Sequence, residues 1–226
     1  MKDLSVIITA GGIGKRMGGN YPKQFRLLSG FPVLMRTIQT FYSFAPNAQI
    51  IVTLPSEWKS EWMKLIEQYD FTIIHEIVDG GQERFHSIKN ALAKCLGEKI
   101  MIHDGVRPLV SNETLQRGYD ALEGHLGAIP FLGLVDSLRC VEGDKNHAVN
   151  RAEYKIIQTP QCFRKNEILN AYEVNFTDSF TDDASVFEAA GFTLFLFPGN
   201  EENLKITTEK DLHLTEFWWT QQKGNS

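Results

Sequence analysis

The sequence predicts an α/β fold in which helices cover both faces of a mostly parallel sheet. The main observation is that short apolar runs of strand length alternate with segments of helical periodicity. With 226 residues, of which 42% are hydrophobic, the chain is long enough to bury a sizeable core. No repeat, low-complexity tract or linker divides the sequence. We therefore predict one domain over residues 1–226.

The first half of the chain alternates regularly between strands and helices. The strands are runs rich in Val and Ile, whereas the helices repeat apolar residues every three or four positions. The first helix begins after Pro32 and aligns Leu34, Ile38 and Phe41 on one stripe. In chain order the predicted elements are strand Leu4–Ala10, helix Val33–Phe44, strand Gln49–Leu54, helix Trp58–Tyr69, strand Phe71–Val78, a helix with Phe85, Ile88, Leu92 and Cys95 on one face, and strand Lys99–His103.

The alternation breaks in the second half of the chain. Between about residues 134 and 163, short alternating runs, charges and turns replace helical periodicity. Such a long stretch inside a compact domain is usually functional or an extended arm, and we predict a β-arm there. The remaining predicted elements are a helix from the cap Ser111 to Leu122, strand Ala128–Phe131, helix Asn166–Val174, helix Asp182–Ala190 between the cap Thr181 and Gly191, strand Thr193–Phe197, and a last helix starting at a capping box of Thr208 and Asp211.

Composition argues against several classes of protein. The net charge of −5 does not favour a nucleic-acid surface. No apolar run approaches the ~20 residues that cross a bilayer, and the N-terminus has no signal-peptide pattern, so we expect a cytoplasmic protein without membrane partners. Cys95, Cys140 and Cys162 show no short pairing, which disfavours disulfides and zinc. The sequence also has no G-x-S-x-G elbow of a serine hydrolase.

The most informative segment is the glycine-rich stretch from Ala10 to Phe25, AGGIGKRMGGNYPKQF. Its five glycines allow sharp turns and bring backbone N–H groups close to an anion. Lys15, Arg16 and Lys23 add positive charge that a strongly negative ligand would balance. We interpret the segment as a polyphosphate site; the alternative is a tight turn without a ligand.

Two common glycine motifs do not fit this segment. The dinucleotide fingerprint G-x-G-x-x-G would begin at Gly12 and Gly14, but Met17 occupies the third glycine position. A phosphate loop of the form G-x-x-x-x-G-K-[ST] would need Gly and Ser or Thr where the chain has Thr9 and Arg16. The segment is therefore expected to bind phosphate through cationic side chains as well as backbone amides.

Three loops that are distant in sequence are expected to meet at one edge of the sheet. Ligands bind outside the carboxyl ends of parallel strands, where the glycine-rich segment, Gly80–Arg84 and His103–Pro108 all fall. Asp104 is the best metal-ligand candidate, because Mg²⁺ is commonly held by one or two carboxylates together with phosphate oxygens. The alternative for Asp104 is a turn cap paired to Arg107.

Other residues near these loops are less informative. The N–H groups of Gly80, Gly81 and Gln82 would read the edge of a pyrimidine, or the glycines form a plain strand-to-helix turn. A lone lysine such as Lys205 is by itself more typical of a solvated surface. Arg151 and residues 158–161 lie in the predicted arm, where composition alone gives them no role.

Taken together, the motifs resemble those of the 2-C-methyl-D-erythritol 4-phosphate cytidylyltransferase family, which uses CTP in the non-mevalonate isoprenoid pathway. The matching segments, in family order, are AGGIGKRMGGNYPKQF, GGQERFHSI, HDGVRP, NRAEYKIIQTPQCF, TDDAS and NLKITTEKDL. The resemblance implies a Rossmann-like nucleotidyltransferase fold and a β-arm that interlocks two subunits of a homodimer. It also implies Mg²⁺ as cofactor and a reaction of CTP with methylerythritol phosphate that gives the CDP-alcohol and pyrophosphate.

The resemblance assigns roles to residues by position. The implied catalytic cations are Arg16 and Lys23, which grip the triphosphate, and Lys205, near the α-phosphate. The implied nucleotide-binding residues are Ala10, Gly11, Gly12, Gly14, Gly81, Gln82, Ser87 and Asp104, with Asp104 also on the magnesium side. The implied residues around the phosphate of the sugar alcohol are Arg107, Ser137, Arg151 and Thr181, and Arg151 is expected to reach the site of the neighbouring subunit.

The chain departs from the family pattern at three places. HDGVRP stands where the family usually has HDAARP, Ser137 stands where threonine is common, and Asn150 replaces the usual aspartate before Arg151. A ribitol 5-phosphate cytidylyltransferase is a close alternative with the same chemistry. A non-catalytic nucleotide-binding module and an NAD-dependent reductase are more distant alternatives, and Met17 weakens the second.

Overall fold

The computed structural model describes residues 1–11 and 21–224, with side chains as far as residue 221. The strands in chain order are β1 Leu4–Thr9, β2 Leu27–Leu28, β3 Phe31–Pro32, β4 Gln49–Leu54, β5 Glu76–Asp79, β6 Lys99–Asp104, β7 Gly127–Gly133, β8 Arg139–Glu142, β9 Lys145–Ala148, β10 Lys155–Ile157, β11 Gln161–Arg164 and β12 Phe195–Pro198. The helices are α1 Val33–Phe44, α2 Lys59–Gln68, α3 Arg84–Leu92, α4 Asn112–Ala121, α5 Lys165–Ala171, α6 Asp183–Ala189 and α7 Glu209–Gly224.

The described residues build an eight-stranded sheet in the order β10-β7-β11-β6-β1-β4-β5, with β12 beside β7. Strands β6, β1, β4 and β5 are mutually parallel, whereas β11 is antiparallel to both β6 and β7. This confirms the α/β fold class with a largely parallel sheet. Because β1 and β6 are central, their carboxyl ends open toward the middle of one sheet edge.

The apolar core lies on both faces of the sheet. Side chains alternate along a strand, so Val6 and Ile8 of β1 pack with helices α1 and α2, whereas Ile7 packs with α3, α5 and α6. All of these β1 side chains are fully buried. The continuous apolar run at the start of the chain therefore reflects a strand covered on both sides.

Some predicted bounds agree with the structure, and the others differ by one or more residues. Helix α1 and strand β4 have the predicted limits. The predicted strand Phe71–Val78 is wrong in its first half: only Glu76–Asp79 pairs with β4, and residues 72–75 instead line a groove together with Tyr42 and Ile50. The predicted cap of α6 is also wrong. Asp182, rather than Thr181, accepts the Ser185 N–H at 2.9 Å, and the Ser185 hydroxyl completes a capping box.

The arm in the structure is shorter than the predicted segment of residues 134–163. Strands β8 and β9 form a separate hairpin, whose turn has Gly143 at φ +60°. Strands β10 and β11, by contrast, return to the main sheet, where Cys162 and Phe163 are fully buried. The burial of these apolar side chains explains why the second part of the segment belongs to the core. No helix in the described part of the chain is long and apolar enough to cross a membrane.

Candidate active site

A cleft of about 340 Å³ opens at the carboxyl ends of β1, β4, β5 and β6. The described ends of the glycine-rich segment, which are Ala10–Gly11 and Lys23–Gln24, meet there with residues of the other two loops. The predicted site residues that line the cleft are Ala10, Gly11, Lys23, Gly81, Gln82, Ser87, Asp104 and Lys205. Gly12, Gly14 and Arg16 lie outside the described residues.

Lys23 is positioned by the two residues that follow it. Gln24 is buried and donates its side-chain N–H to the Ala10 carbonyl at 2.6 Å, which ties this segment to the end of β1. Phe25 is buried and stacks on Trp62 with ring centroids 5.7 Å apart. Because both neighbours are anchored, the short helical turn Lys23–Phe25 holds Lys23 at the rim of the cleft.

The turn before α3 is fixed by its own hydrogen bonds. The Gly81 N–H donates to the Ser87 hydroxyl at 2.9 Å, and that hydroxyl donates to the Glu83 carbonyl at 3.1 Å. A Cβ on Gly81 would lie 2.3 Å from the Cβ of His86, so only glycine fits. The Gly80 N–H already donates to Leu54. In this conformation the N–H groups of Gly80 and Gly81 both have acceptors, so the expectation that they read a pyrimidine together with the Gln82 N–H stays a prediction.

Asp104 is the centre of a buried charge cluster. Its Oδ2 accepts a hydrogen bond from Arg107 Nε at 2.9 Å and lies 3.2 Å from Lys205 Nζ. Burial acts to raise the pKa of Asp104, but Lys205, Arg107 and Arg84 outweigh it and hold this pKa well below its usual range. Asp104 is therefore a carboxylate at neutral pH. Asp104 therefore pairs with Arg107, as the turn alternative expected, and it also lines the cleft.

Lys205 is not an isolated surface lysine. Its side chain is 44% exposed, yet its ammonium group contacts Asp104 and lines the same cleft as Lys23. Two lysines that are 182 positions apart in the sequence thus lie on one side of the molecule, as the resemblance implied.

Sequence reasoning missed Arg84 and its partner Asp183. Arg84 lines the cleft and binds the fully buried Asp183 through two hydrogen bonds of 2.9 and 2.6 Å. Tyr172 donates its hydroxyl to the same carboxylate at 2.6 Å. Burial alone would lower the pKa of Arg84, but Asp183 more than offsets it, so that the pKa is raised. No local pattern could have found this pair, because its members are far apart in the chain.

The residues predicted to surround the phosphate of the sugar alcohol are largely outside this cleft. Arg107 contacts Asp104 and donates to the Asn203 carbonyl at 2.8 Å. Ser137, Arg151 and Thr181 are exposed, and within the described residues none of the three lines the cleft. Arg151 instead donates to the Val135 carbonyl at the base of the arm. The cleft of this chain therefore brings together mainly the residues predicted for the nucleotide.

Comparison with known proteins agrees with this geometry. The sequence profile of the IspD family, 2-C-methyl-D-erythritol 4-phosphate cytidylyltransferase, matches residues 4–221. The chain belongs to this family. It is 47% identical over 212 residues to the cytidylyltransferase of that name from Phocaeicola vulgatus, covering 93% of this chain and 97% of the relative. It is 46% identical over 211 residues to that of Bacteroides thetaiotaomicron, covering 93% and 96%.

Solved structures support the same family fold. The 4-diphosphocytidyl-2C-methyl-D-erythritol synthase of Anaerococcus prevotii superimposes with a TM-score of 0.81 at 26% identity, covering 96% of this chain and 98% of that chain. The 2-C-methyl-D-erythritol 4-phosphate cytidylyltransferase of Thermus thermophilus gives a TM-score of 0.78 at 26% identity, with the same coverage. The family match thus favours methylerythritol phosphate over the ribitol 5-phosphate alternative.

Two departures from the family pattern have local explanations. A Cβ on Gly105 would lie 2.9 Å from the Thr9 carbonyl oxygen and 3.0 Å from Leu34 Cδ1, so glycine suits the packing at this position. Asn150 accepts the Ala152 N–H at 3.2 Å and donates to Glu153 at 2.9 Å. An asparagine therefore still caps the short turn that carries Arg151.

Proposed function

We propose that this protein transfers a cytidylyl group from CTP to 2-C-methyl-D-erythritol 4-phosphate. The products are 4-diphosphocytidyl-2-C-methyl-D-erythritol and pyrophosphate, in the non-mevalonate route to isoprenoid precursors. The observation that carries this proposal is the convergence of Lys23, Arg84 and Lys205 with Asp104 around one cleft beside the Gly81 turn. The three cations suit a polyanion such as CTP, and family membership identifies the reaction.

The main catalytic task is electrostatic. A phosphate oxygen of the sugar alcohol attacks the α-phosphorus of CTP, and the bond from that phosphorus to the bridging oxygen of pyrophosphate breaks. Both reactants are anions, so Lys23 and Lys205, with Arg16 of the glycine-rich segment, would align them and stabilise the charge that develops. A phosphate is already deprotonated near neutral pH, so the attack needs no general base.

We propose Mg²⁺ as the cofactor, held jointly by Asp104 and the phosphates of CTP. Mg²⁺ keeps several waters and is commonly bound by one or two carboxylates together with substrate phosphates. Asp104 offers one charged carboxylate at the cleft, whereas residues 1–11 and 21–221 contain no group of three or more His, Cys, Asp and Glu that could hold a metal alone. When bound, the ion would neutralise phosphate charge.

We further propose that the single domain works as a homodimer joined by the arm. The hairpin of β8 and β9 extends from the sheet, and Val135 and Val141 are 83% and 69% exposed. Such apolar exposure on an arm suits burial against a second copy. Ser137 and Arg151 lie outside the cleft of their own subunit and would then act in the cleft of the partner subunit. Thr181 would act at the rim of the cleft in its own subunit.

We place the enzyme in the cytosol, where CTP is available. Cys95, Cys140 and Cys162 are free thiols, which suits a reducing compartment.

The decisive experiment compares two acceptors. The purified protein is incubated with CTP, Mg²⁺ and either 2-C-methyl-D-erythritol 4-phosphate or ribitol 5-phosphate, and the CDP product is identified by mass spectrometry. We expect product from the first acceptor, its loss in Lys205→Ala, and full yield from Lys210→Ala, a control at an exposed lysine on α7. Product from ribitol 5-phosphate alone, or from neither acceptor, would contradict the proposal.

A further inference from the structure

Behind the charge cluster lies a ring of hydrogen bonds that includes two residues with no assigned role, Thr159 and Asn203. Both are buried, with 6% and 0% of their surface exposed. Neither belongs to the lining of the cleft among the described residues, so neither is placed to touch substrate. Both nevertheless contact the residues that form the cluster.

The hydroxyl of Thr159 has a defined direction. His103 is fully buried, and its Nε2 lies 2.9 Å from the Arg107 carbonyl, an oxygen that can only accept; Nε2 therefore carries the proton. In the tautomer with the proton on Nε2, Nδ1 is an acceptor. Thr159 Oγ1 must then donate to Nδ1 at 3.0 Å, while it accepts the Asp104 N–H at 3.2 Å.

Asn203 closes the ring on the other side. The side-chain Nδ2 of Asn203 donates to the Thr159 backbone carbonyl at 2.7 Å, and the backbone carbonyl of Asn203 accepts from Arg107 Nη1 at 2.8 Å. Arg107 in turn donates to Asp104. Among the described residues, the buried Oδ1 of Asn203 has no hydrogen-bond partner. A buried acceptor without a hydrogen bond lowers stability. The presence of asparagine at this position is therefore best explained by the hydrogen bond that its Nδ2 donates to Thr159.

We propose that Thr159 and Asn203 are positioning residues that fix Asp104, Arg107 and Lys205 in the orientation needed for cytidylyl transfer. Thr159 holds the backbone of Asp104, Asn203 holds Arg107, and Lys205 follows Asn203 by two residues and contacts Asp104. The ring also links the cluster to the loop between β10 and β11, which follows the arm. This inference rests on the proposed function, because it concerns the same reaction.

The test compares Thr159→Val, which replaces the hydroxyl by a methyl group, with Thr159→Ser, which keeps the hydroxyl. Misplacement of a reacting group by about 1 Å can cost roughly 100-fold, so we expect kcat of Thr159→Val to fall about 10- to 100-fold. The KM for CTP should stay within about twofold, because Thr159 does not contact the turn of Gly81 and Ser87. Thr159→Ser should restore kcat to within about threefold of the wild type.

Two further measurements separate positioning from general destabilisation. Thr215→Val removes another fully buried threonine hydroxyl, one that bonds within α7, and should leave kcat unchanged although it also lowers the unfolding temperature. Nitrogen NMR of His103 should show the Nε2–H form, with the Nδ1 resonance shifted in Thr159→Val. Asn203→Ser, which shortens the donor, should lower kcat in the same way and provides the comparison if Thr159→Val does not fold.

The outcomes are distinguishable. An active wild type together with normal kcat in Thr159→Val and Asn203→Ser would overturn the positioning role alone. Failure of Thr159→Ser to restore kcat would overturn it as well, because the hydroxyl would then not be the relevant group. A wild type that forms no CDP product would refute the proposed function and this inference together.

Discussion

Replacing Asp183 with asparagine should destabilise the protein by about 3 kcal/mol, because it removes one charge from a buried ion pair. Asp183 is fully buried and binds Arg84 through both carboxylate oxygens. Asparagine has nearly the same shape and can still accept from Tyr172. The substitution therefore tests the charge of Asp183 rather than the packing around it.

The magnitude follows from the exposure of the two partners. Breaking a fully buried pair costs about 3–5 kcal/mol, since the remaining charge loses its partner. The side chain of Arg84 is 32% exposed through the cleft, so solvent compensates part of that charge and the lower limit applies. For a chain of 226 residues, about 3 kcal/mol corresponds to a decrease in Tm of about 6–12 °C.

Calorimetry of the wild type and the variant at neutral pH measures this decrease. Asp79→Asn is the matched control, because Asp79 makes an ion pair of 2.8 Å with Lys59 while its side chain is 60% exposed. Surface ion pairs contribute little to stability, so this control should unfold at nearly the wild-type temperature. Equal unfolding temperatures for the two variants would refute the reasoning. We also expect a higher KM for CTP in Asp183→Asn, since Arg84 lines the cleft.

Three other perturbations test the site. Lys23→Ala should lower the rate of pyrophosphate release by about 100-fold or more, because a positioned charge at the phosphates is lost. Burial lowers the pKa of His103 in the folded protein to about 4, so the unfolded chain takes up the proton first as the pH falls. The contribution of neutral His103 to the free energy of unfolding should therefore be complete above about pH 6.5 and lost as the pH falls to about 4. This loss should amount to about 3 kcal/mol and be absent in His103→Gln. Mixing inactive Arg151→Ala and Lys205→Ala subunits should restore about a quarter of wild-type activity, because half of the molecules become heterodimers with one intact site.

Each of these expectations has a clear contrary result. Wild-type pyrophosphate release by Lys23→Ala would remove that lysine from the mechanism. Identical dependence of stability on pH in the wild type and His103→Gln would show that His103 is not the group responsible. No recovery of activity after subunits have exchanged would mean that Arg151 acts in its own subunit.

The sequence predicted the first half of the fold better than the second, for a physical reason. Strands such as β4 and helices such as α1 bury regular apolar faces, and that regularity is visible in the residues themselves. Strands β10 and β11 lie in the sheet, but Gln158 and Thr159, which lie between them, and Gln161, which begins β11, are buried polar residues. These side chains form hydrogen bonds with residues that are distant in the sequence. The run of apolar residues that usually indicates a buried segment is therefore missing.

The candidate site shows the same division. Residues that bind phosphate by their type, such as Lys23, could be found because glycines and cations cluster in the sequence. Lys205 could be placed only through the resemblance to a family, because nothing in its neighbourhood distinguishes it from a surface lysine. The contacts of Arg84 and Thr159 could not be inferred from the sequence, since they depend on Asp183 and His103, which are distant along the chain.

The charge cluster also determines which residue best reports on catalysis. Asp104 is buried, and one of its oxygens contacts both Arg107 and Lys205. Removal of the Asp104 carboxylate would leave the Arg107 charge without its carboxylate partner and disturb the fold as well as the reaction. The side chain of Lys205 is 44% exposed, so water can solvate Asp104 in part when the lysine is removed. A loss of turnover in Lys205→Ala can therefore be attributed to the missing charge at the phosphates, whereas the same loss in a variant of Asp104 combines both effects.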